Sequence, residues 1–96
     1  MRKHEYFVYI LTNIHKTVLY TGVTNDLARR LAEHTINEPN TFTGRYNCVF
    51  LLYHEKHRYI DKAIAREKEI KGWRRVKKES LINEFNPGWL FLNDEL

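Results

Sequence analysis

The side chains with the clearest capacity for chemistry are two tyrosines, an arginine and a glutamate. Tyr9 and Tyr20 lie in short runs of aromatic and β-branched residues, which is the composition of β-strands. Arg30 and Glu67 fall on the apolar stripes of two predicted helices. A guanidinium matches phosphate oxygens, and a carboxylate suits a hard cation such as Mg²⁺ that also binds phosphate. The set is therefore suited to phosphate chemistry.

Each charged residue on an apolar stripe also has a structural interpretation. The helical period places Arg30 beside Leu31 and directs Arg29 toward solvent, so Arg30 could form a salt bridge or extend its stem along the core. Glu67 shares its stripe with Ile64, and it could pair with Lys71 one turn later rather than bind a metal. Both alternatives remain open from spacing alone.

The histidines permit several roles. His34 ends the first predicted helix, where it could donate to a phosphate, carry a proton or cap the negative helix end. The segment His54–His57 favours a solvated strand end followed by a loop, because two histidines without a third ligand do not make a structural zinc site.

The elements that must position these residues begin with a hairpin of strands over 6–11 and 18–23. A turn centred on Ile14 and His15 would place Tyr9 directly opposite Tyr20, whereas a change of one residue in the pairing would separate them to opposite faces. Gly22 could let a ligand approach the backbone, or it could mark a strand end or bulge.

The remaining pattern predicts a helix ending near His34 and a loop punctuated by Pro39 and Gly44. An apolar run over 48–53 predicts a buried central strand. Helices follow over about 59–72 and 77–85, with these residues turned inward: Ile60, Ala63, Ile64, Ile70, Leu81, Ile82 and Phe85. The order β-β-α-β-α-α predicts one α+β domain over 1–96, a small three-stranded, mainly antiparallel sheet flanked by helices.

Composition favours an anionic partner. Sixteen Lys and Arg residues against twelve Asp and Glu give a formal charge of +4, although a merely soluble surface would also explain this balance. A basic segment offers contacts to backbone phosphates, and it contains Arg74, Arg75, Lys77 and Lys78. No apolar run reaches the length of a membrane span. The polar start at 1–5 does not resemble a secretory signal, and the single Cys48 cannot form an internal disulfide, so we expect a reducing cytoplasm.

Several motifs together resemble the GIY-YIG nuclease superfamily. Phe7-Val8-Tyr9 and Tyr20-Thr21-Gly22 occupy the places of its two triplets, although Phe7 replaces glycine and Thr21 replaces isoleucine. Arg30, then Glu67 with Ile70 and Lys71, and finally Asn86-Pro87-Gly88 follow in the expected order. The chain most resembles the small stand-alone, YhbQ-like branch, and it is similar to the N-terminal nuclease domain of an excinuclease.

The resemblance implies a metal-dependent nuclease that acts on DNA with little sequence specificity, in repair or recombination. Tyr9 would act as general base toward a water or hold that water in place, and Glu67 would bind one Mg²⁺ or Mn²⁺. The site would be completed by Tyr20, Arg30, His34 and Asn86, and nucleic acid would contact Arg30, Lys71, Arg74, Arg75, Lys77 and Lys78.

Two other functions stay open at this point. The chain could be a catalytically weak or inactive nucleic-acid-binding module that uses the same basic surface. It could also be a structural protein whose tyrosines are ordinary sheet residues and whose Glu67 pairs with Lys71.

Overall fold

The computed structural model of the chain describes residues 4–34 and 45–96. Strands β1 (Tyr6–Thr12), β2 (Leu19–Thr24) and β3 (Phe50–His57) form an antiparallel sheet. Helices are α1 (Leu27–His34), α2 (Ile60–Lys71) and α3 (Arg75–Phe85), and a 3₁₀ turn covers Asn93–Glu95. The predicted α+β class and the order β-β-α-β-α-α are confirmed. The predicted loop at Pro39 and Gly44 lies outside the described residues.

The sheet has the order β2-β1-β3, so β1 is its central strand and the prediction of a central β3 is wrong. The apolar run of β3 arises because both of its faces are covered: Leu51 packs on one side of the sheet and Leu52 on the other. The backbone N–H of Leu92 donates to the carbonyl of Leu51 at 2.8 Å, so the chain after α3 lies beside β3. An edge strand such as β3 can therefore be apolar on both faces without having a neighbouring strand along each of its edges.

The two faces of the sheet carry different helices. The α1 face is a cluster formed by Tyr9, Leu11, Leu27, Leu31, Cys48, Leu51 and Leu92. The α2 face is a cluster formed by Val8, Ile10, Leu52, Tyr53, Ala63, Ile70 and Ile82. Alternation along β1 sends successive side chains to the two clusters, so Tyr9 lies on the α1 face between Val8 and Ile10 on the other.

The hairpin register differs from the expected one by two residues. Tyr9 pairs with Gly22, and Leu11 pairs with Tyr20. Because side chains alternate with a period of two, this shift keeps both tyrosines on the α1 face.

The orientation of α2 also differs from the prediction. Ala63 and Ile70 are fully buried, whereas Ile60 and Ile64 are 52% and 38% exposed. The small side chain of Ala63 lies against the sheet, and this rotation leaves the side of the helix that carries Ile60 and Ile64 at the surface.

In α3, Ile82 is buried as predicted and Leu81 is partly buried, but Phe85 is 45% exposed. Phe85 places its ring 5.1 Å from that of Tyr53 and 5.2 Å from that of His54. It therefore lies across the surface of β3 rather than inside the core. In the described parts of the chain, no helix combines the length and apolar character that crossing a membrane requires.

Candidate active site

The β1–β2 hairpin brings the two tyrosines together. Their ring centroids are 6.4 Å apart, on the same face of the sheet. Gly22 lies opposite Tyr9, and a Cβ at position 22 would overlap the Tyr9 phenol. The absent side chain thus makes room for the phenol of Tyr9 rather than for a ligand. Gly22 lies inside β2, so it is not a strand end.

Helix α1 supplies an arginine and a histidine to the same place. The helix starts behind an N-cap, because the Asp26 carboxylate accepts a hydrogen bond from the backbone N–H of Arg29 at 3.1 Å. Arg30 then donates from Nε to the Tyr9 hydroxyl at 3.4 Å, and Nε2 of His34 lies 3.1 Å from the same hydroxyl. The Tyr9 phenol is therefore the centre of a small polar network.

Arg30 lies at the rim of this network rather than in the core, with 40% of its side chain exposed. It bonds Glu33 at 3.0 Å through Nη1, a partner that the i, i+3 spacing of the two residues could have indicated. Hydrogen bonds from Arg30 to Tyr9 and then to Glu33 raise the pKa of Arg30, so it remains a cation. Arg29 shares Glu33 with Arg30 but donates its hydrogen bond to Asn25 rather than to Tyr9.

The protonation of the network follows from burial. Tyr9 is 1% exposed, and burial raises its pKa above the ordinary value of 10.0, with Tyr20 and Glu67 adding to the shift and Arg30 opposing it. Burial, then the charge of Arg30, lower the pKa of His34 below 6.5. At neutral pH the site therefore holds a neutral phenol beside a neutral imidazole.

Glu67 approaches the network from α2. Its side chain is 14% exposed, and its carboxylate bonds the ammonium of Lys71 at 3.0 Å. That ammonium also lies 5.8 Å from the ring centroid of Tyr20. The structure thus contains the Glu67–Lys71 pair, and it places that pair beside the tyrosines.

The donor set fits a magnesium-type ion better than zinc. Within residues 4–34 and 45–96, no group of three or more histidine, cysteine, aspartate or glutamate side chains is placed to hold a metal. Mg²⁺ often uses one or two carboxylates and takes its other ligands from water and phosphate. Glu67 matches this pattern, since its mostly buried carboxylate already attracts a cation, the Lys71 ammonium.

Asn86 contributes to the support of the fold. Its amide donates to the carbonyls of Leu52 and Leu90 at 3.1 and 2.8 Å, and its oxygen accepts from the N–H of Leu90 at 3.1 Å. These contacts fasten the chain after α3 to β3. The structure does not bring Asn86 into the hydrogen-bond network of Tyr9, and its predicted catalytic role stays a prediction.

The basic segment is divided between structure and surface. Arg75 donates to the carbonyls of Thr17 and Lys16 at 2.8 and 3.0 Å and bonds Glu79 at 3.0 Å, so its guanidinium fastens the hairpin turn. Lys77 lies 4.5 Å from the ring centroid of Trp73. Arg74 and Lys77 are exposed and Lys78 is half-buried. Their contact with nucleic acid stays a prediction.

The structure contains a second polar cluster, on β3 and α2, that the sequence analysis did not predict. Its members are Tyr53, Glu55, His57 and Arg66, and we call them the Glu55 cluster. Arg66 donates from Nε to both oxygens of Glu55 at 3.2 Å, and Tyr53 and His57 bond the same carboxylate. His54–His57 is therefore part of a strand rather than a loop. The spacing of Tyr53, Glu55 and His57, each two residues apart, could have indicated that they share one face of a strand.

Comparison with known proteins identifies the family of the chain. The GIY-YIG catalytic domain family matches residues 5–80. A UPF0213 protein from Natronomonas pharaonis is 38% identical over 78 residues, covering 81% of this chain and 91% of the relative. A UPF0213 protein from Bacillus pumilus is 36% identical, covering 88% and 85%.

A solved structure shows the same architecture. The solution NMR structure of a UPF0213 protein from Bacillus halodurans superposes with a TM-score of 0.58 at 27% identity, over 88% of this chain and 89% of that one. The chain belongs to the GIY-YIG family, and its relatives are small UPF0213 proteins. The hairpin brings two tyrosines to one face of the sheet, and the helix that follows directs an arginine at one of them. This arrangement is consistent with that membership.

Proposed function

We propose that this chain is a cytoplasmic endonuclease that hydrolyses DNA phosphodiester bonds with one Mg²⁺ or Mn²⁺, with little sequence specificity, in DNA repair or recombination. The observation that carries the proposal is the network at the Tyr9 hydroxyl, with Arg30 Nε at 3.4 Å and His34 Nε2 at 3.1 Å. A buried phenol placed between a permanent cation and a neutral imidazole is suited to proton transfer beside an anion.

The chain's residues divide the chemistry as follows. Displacement at phosphorus develops negative charge on the phosphate oxygens, and the Arg30 guanidinium at the rim stabilises that charge. A divalent ion held by Glu67 would stabilise the same charge and the attacking oxygen. Tyr20, whose ring lies next to Tyr9 and beneath Lys71, positions the phosphate.

Proton removal from the attacking water cannot rely on a preformed phenolate, since the pKa of Tyr9 is raised. Instead, the Tyr9 oxygen accepts the proton of the water while its own proton passes to Nε2 of His34. The lowered pKa of His34 keeps the imidazole unprotonated and ready at neutral pH. This route requires the tautomer of His34 that carries its proton on Nδ1.

The test is cleavage of duplex and single-stranded DNA by the purified protein with Mg²⁺ or Mn²⁺, and with a chelator. We expect Glu67→Gln to remove cleavage. Glu69→Gln is the matched control, because Glu69 lies two residues away, is 55% exposed and bonds Arg66 instead. Cleavage that survives Glu67→Gln, or that needs no divalent ion, would contradict the proposal.

A binding module is the second candidate, and one observation favours it: the Glu67 carboxylate is already paired with Lys71. In that case the protein would bind DNA in a salt-dependent way without cleaving it under any metal condition. The same assay therefore separates the two functions.

A further inference from the structure

The Glu67–Lys71 pair has features of an exchangeable contact rather than a fixed one. Among the residues that the structure describes, Glu67 is held at a single point by the Lys71 ammonium, and half of the Lys71 side chain is exposed. A lysine ammonium has no fixed fork geometry and sits on a flexible stem. The contact is therefore easy to break and re-form.

The Lys71 ammonium lies close to the tyrosines while it is paired with Glu67. It lies 5.8 Å from the ring of Tyr20, which in turn lies against the Tyr9 network. Rotation about the side-chain bonds of Lys71 could release the ammonium from Glu67 while keeping it near Tyr20. A phosphate bound beside the tyrosines would therefore be near the released ammonium.

Glu67 cannot lose its partner without replacement. Its side chain is only 14% exposed, and a carboxylate removed from water needs a counter-charge. A divalent cation supplies that charge, but its presence at the carboxylate repels the ammonium. The two cations therefore compete for the Glu67 carboxylate.

From these contacts we propose that Lys71 is the resting cation of Glu67, is displaced when a divalent ion binds there, and then contacts the substrate phosphate. The inference rests on the proposed nuclease function. It makes metal and nucleic acid positively coupled ligands, because the metal releases the lysine that the phosphate needs, and the coupling is reciprocal. Lys71 thus exchanges between two anions, the Glu67 carboxylate and the substrate phosphate.

The first experiment measures Mn²⁺ binding to the full chain without nucleic acid, from the loss of the electron paramagnetic resonance signal of free Mn²⁺. Lys71→Met should bind Mn²⁺ about threefold to tenfold more tightly than the natural protein, since no ammonium competes for the carboxylate. Lys68→Met removes the same charge from an exposed neighbouring position, and it should change binding by less than about twofold because of screening.

The second experiment measures the affinity of a labelled duplex oligonucleotide by fluorescence anisotropy, with and without Mn²⁺. A Tyr9→Phe background keeps the DNA intact. Mn²⁺ should tighten DNA binding in that background, and the gain should be at least about threefold smaller when Lys71→Met is added.

The outcomes separate this inference from the function on which it rests. If Glu67→Gln abolishes Mn²⁺ binding but Lys71→Met binds Mn²⁺ no more tightly than the natural protein, the exchange is overturned and the metal site stands. An unchanged Mn²⁺ effect on DNA affinity in the Lys71→Met variant overturns the transfer to phosphate. Mn²⁺ binding that is unaffected by Glu67→Gln overturns both the inference and the proposed metal site.

Discussion

The Tyr9 site and the Glu55 cluster use the same four kinds of side chain. Their central groups, the Tyr9 phenol and the Glu55 carboxylate, lie on opposite faces of one sheet, and α2 supplies a residue to each. Each combines a tyrosine, a histidine, an arginine and a glutamate. In the Glu55 cluster the carboxylate is the centre and accepts from Tyr53, His57 and Arg66. In the Tyr9 site the phenol is the centre, and Glu67 stands apart, paired with Lys71.

This difference decides what each group can do. Burial alone would raise the pKa of Glu55, but hydrogen bonds from Tyr53, His57 and Arg66 lower it below its ordinary value. Such a saturated carboxylate has little capacity left for a metal or a substrate. Glu67 retains that capacity because its lysine partner is exchangeable. The same residue types can therefore form a structural cluster or a candidate binding site, and the number of hydrogen bonds that the carboxylate already accepts separates the two.

The largest expected effect comes from removing the hydroxyl of Tyr9, with removal of the Tyr53 hydroxyl as the control. Tyr9→Phe should lower the DNA cleavage rate by at least about 100-fold, because it removes the proton-transfer step. Tyr53→Phe should leave the rate per folded molecule unchanged, because the Tyr53 hydroxyl donates to Glu55 on the opposite face of the sheet. Initial rates on one duplex substrate check both. Equal losses in the two variants would remove the distinction between the sites.

Next in size is the contribution of the Glu55 cluster to folding. Glu55→Ala should lower the free energy of unfolding by about 2 kcal/mol, because the donors of Arg66, His57 and Tyr53 lose their acceptor in a partly buried position. Glu69→Ala, at an exposed partner of Arg66, should cost less than about 0.5 kcal/mol. Urea unfolding measures both. A smaller loss for Glu55→Ala than for the control would show that the cluster is not structural.

A smaller effect is expected where α1 is positioned for the Tyr9 site. Asp26→Ala removes the acceptor of the Arg29 N–H and should cost about 1 kcal/mol of unfolding free energy, measured by urea unfolding. Asp26→Asn keeps an acceptor and should cost clearly less. If Asp26→Asn is as destabilising as Asp26→Ala, the cap is not the reason for the loss.

The smallest effect is the pH dependence of cleavage. His34 has a pKa below 6.5 in the folded protein, so it is neutral above that pH and becomes protonated as the pH falls. The rate should therefore be nearly independent of pH well above 6.5 and fall by less than about tenfold at pH 5.5, since an imidazole of ordinary pKa would lose about tenfold there. The folded state should also lose stability as pH falls from 6.5 toward the folded pKa, because the unfolded chain binds the proton more readily.

The control for the pH profile is His34→Asn, measured over the same range. His54 is also partly buried and also has a lowered pKa, so only the part of the profile that disappears in His34→Asn belongs to the site. A profile that is unchanged in that variant would assign the dependence to another group.

Much of the fold could be predicted because it depends on local patterns. The strand composition around Tyr9 and Tyr20, and the helical period after Asp26, give the right elements in the right order. The errors concern quantities set by contacts between elements. The position of β3 in the sheet and the rotation of α2 depend on packing partners, which no window of the sequence contains.

The site shows the same division. Sequence spacing separated Arg30 from Arg29, and the structure directs Arg30 to Tyr9 while Arg29 bonds Asn25 and Glu33. The spacing could not decide the partner of Glu67, since a lysine one turn away and a metal are both compatible with it. It also gave no indication that Arg75 would bond the hairpin turn, because its partners Thr17 and Lys16 precede it by 58 and 59 residues.

By itself the sequence determined the order of the elements and the family of the chain, because alternation and helical period are properties of neighbouring residues. The pairing of β1 with β2 in the folded chain decided that both tyrosines share a face. Only the tertiary structure decided which charges are saturated. Within the part of the chain that the structure describes, Glu55 has three partners from two elements, whereas Glu67 keeps a single exchangeable one. Saturation depends on how many donors distant segments bring within hydrogen-bond reach, and that number exists only after the chain has folded.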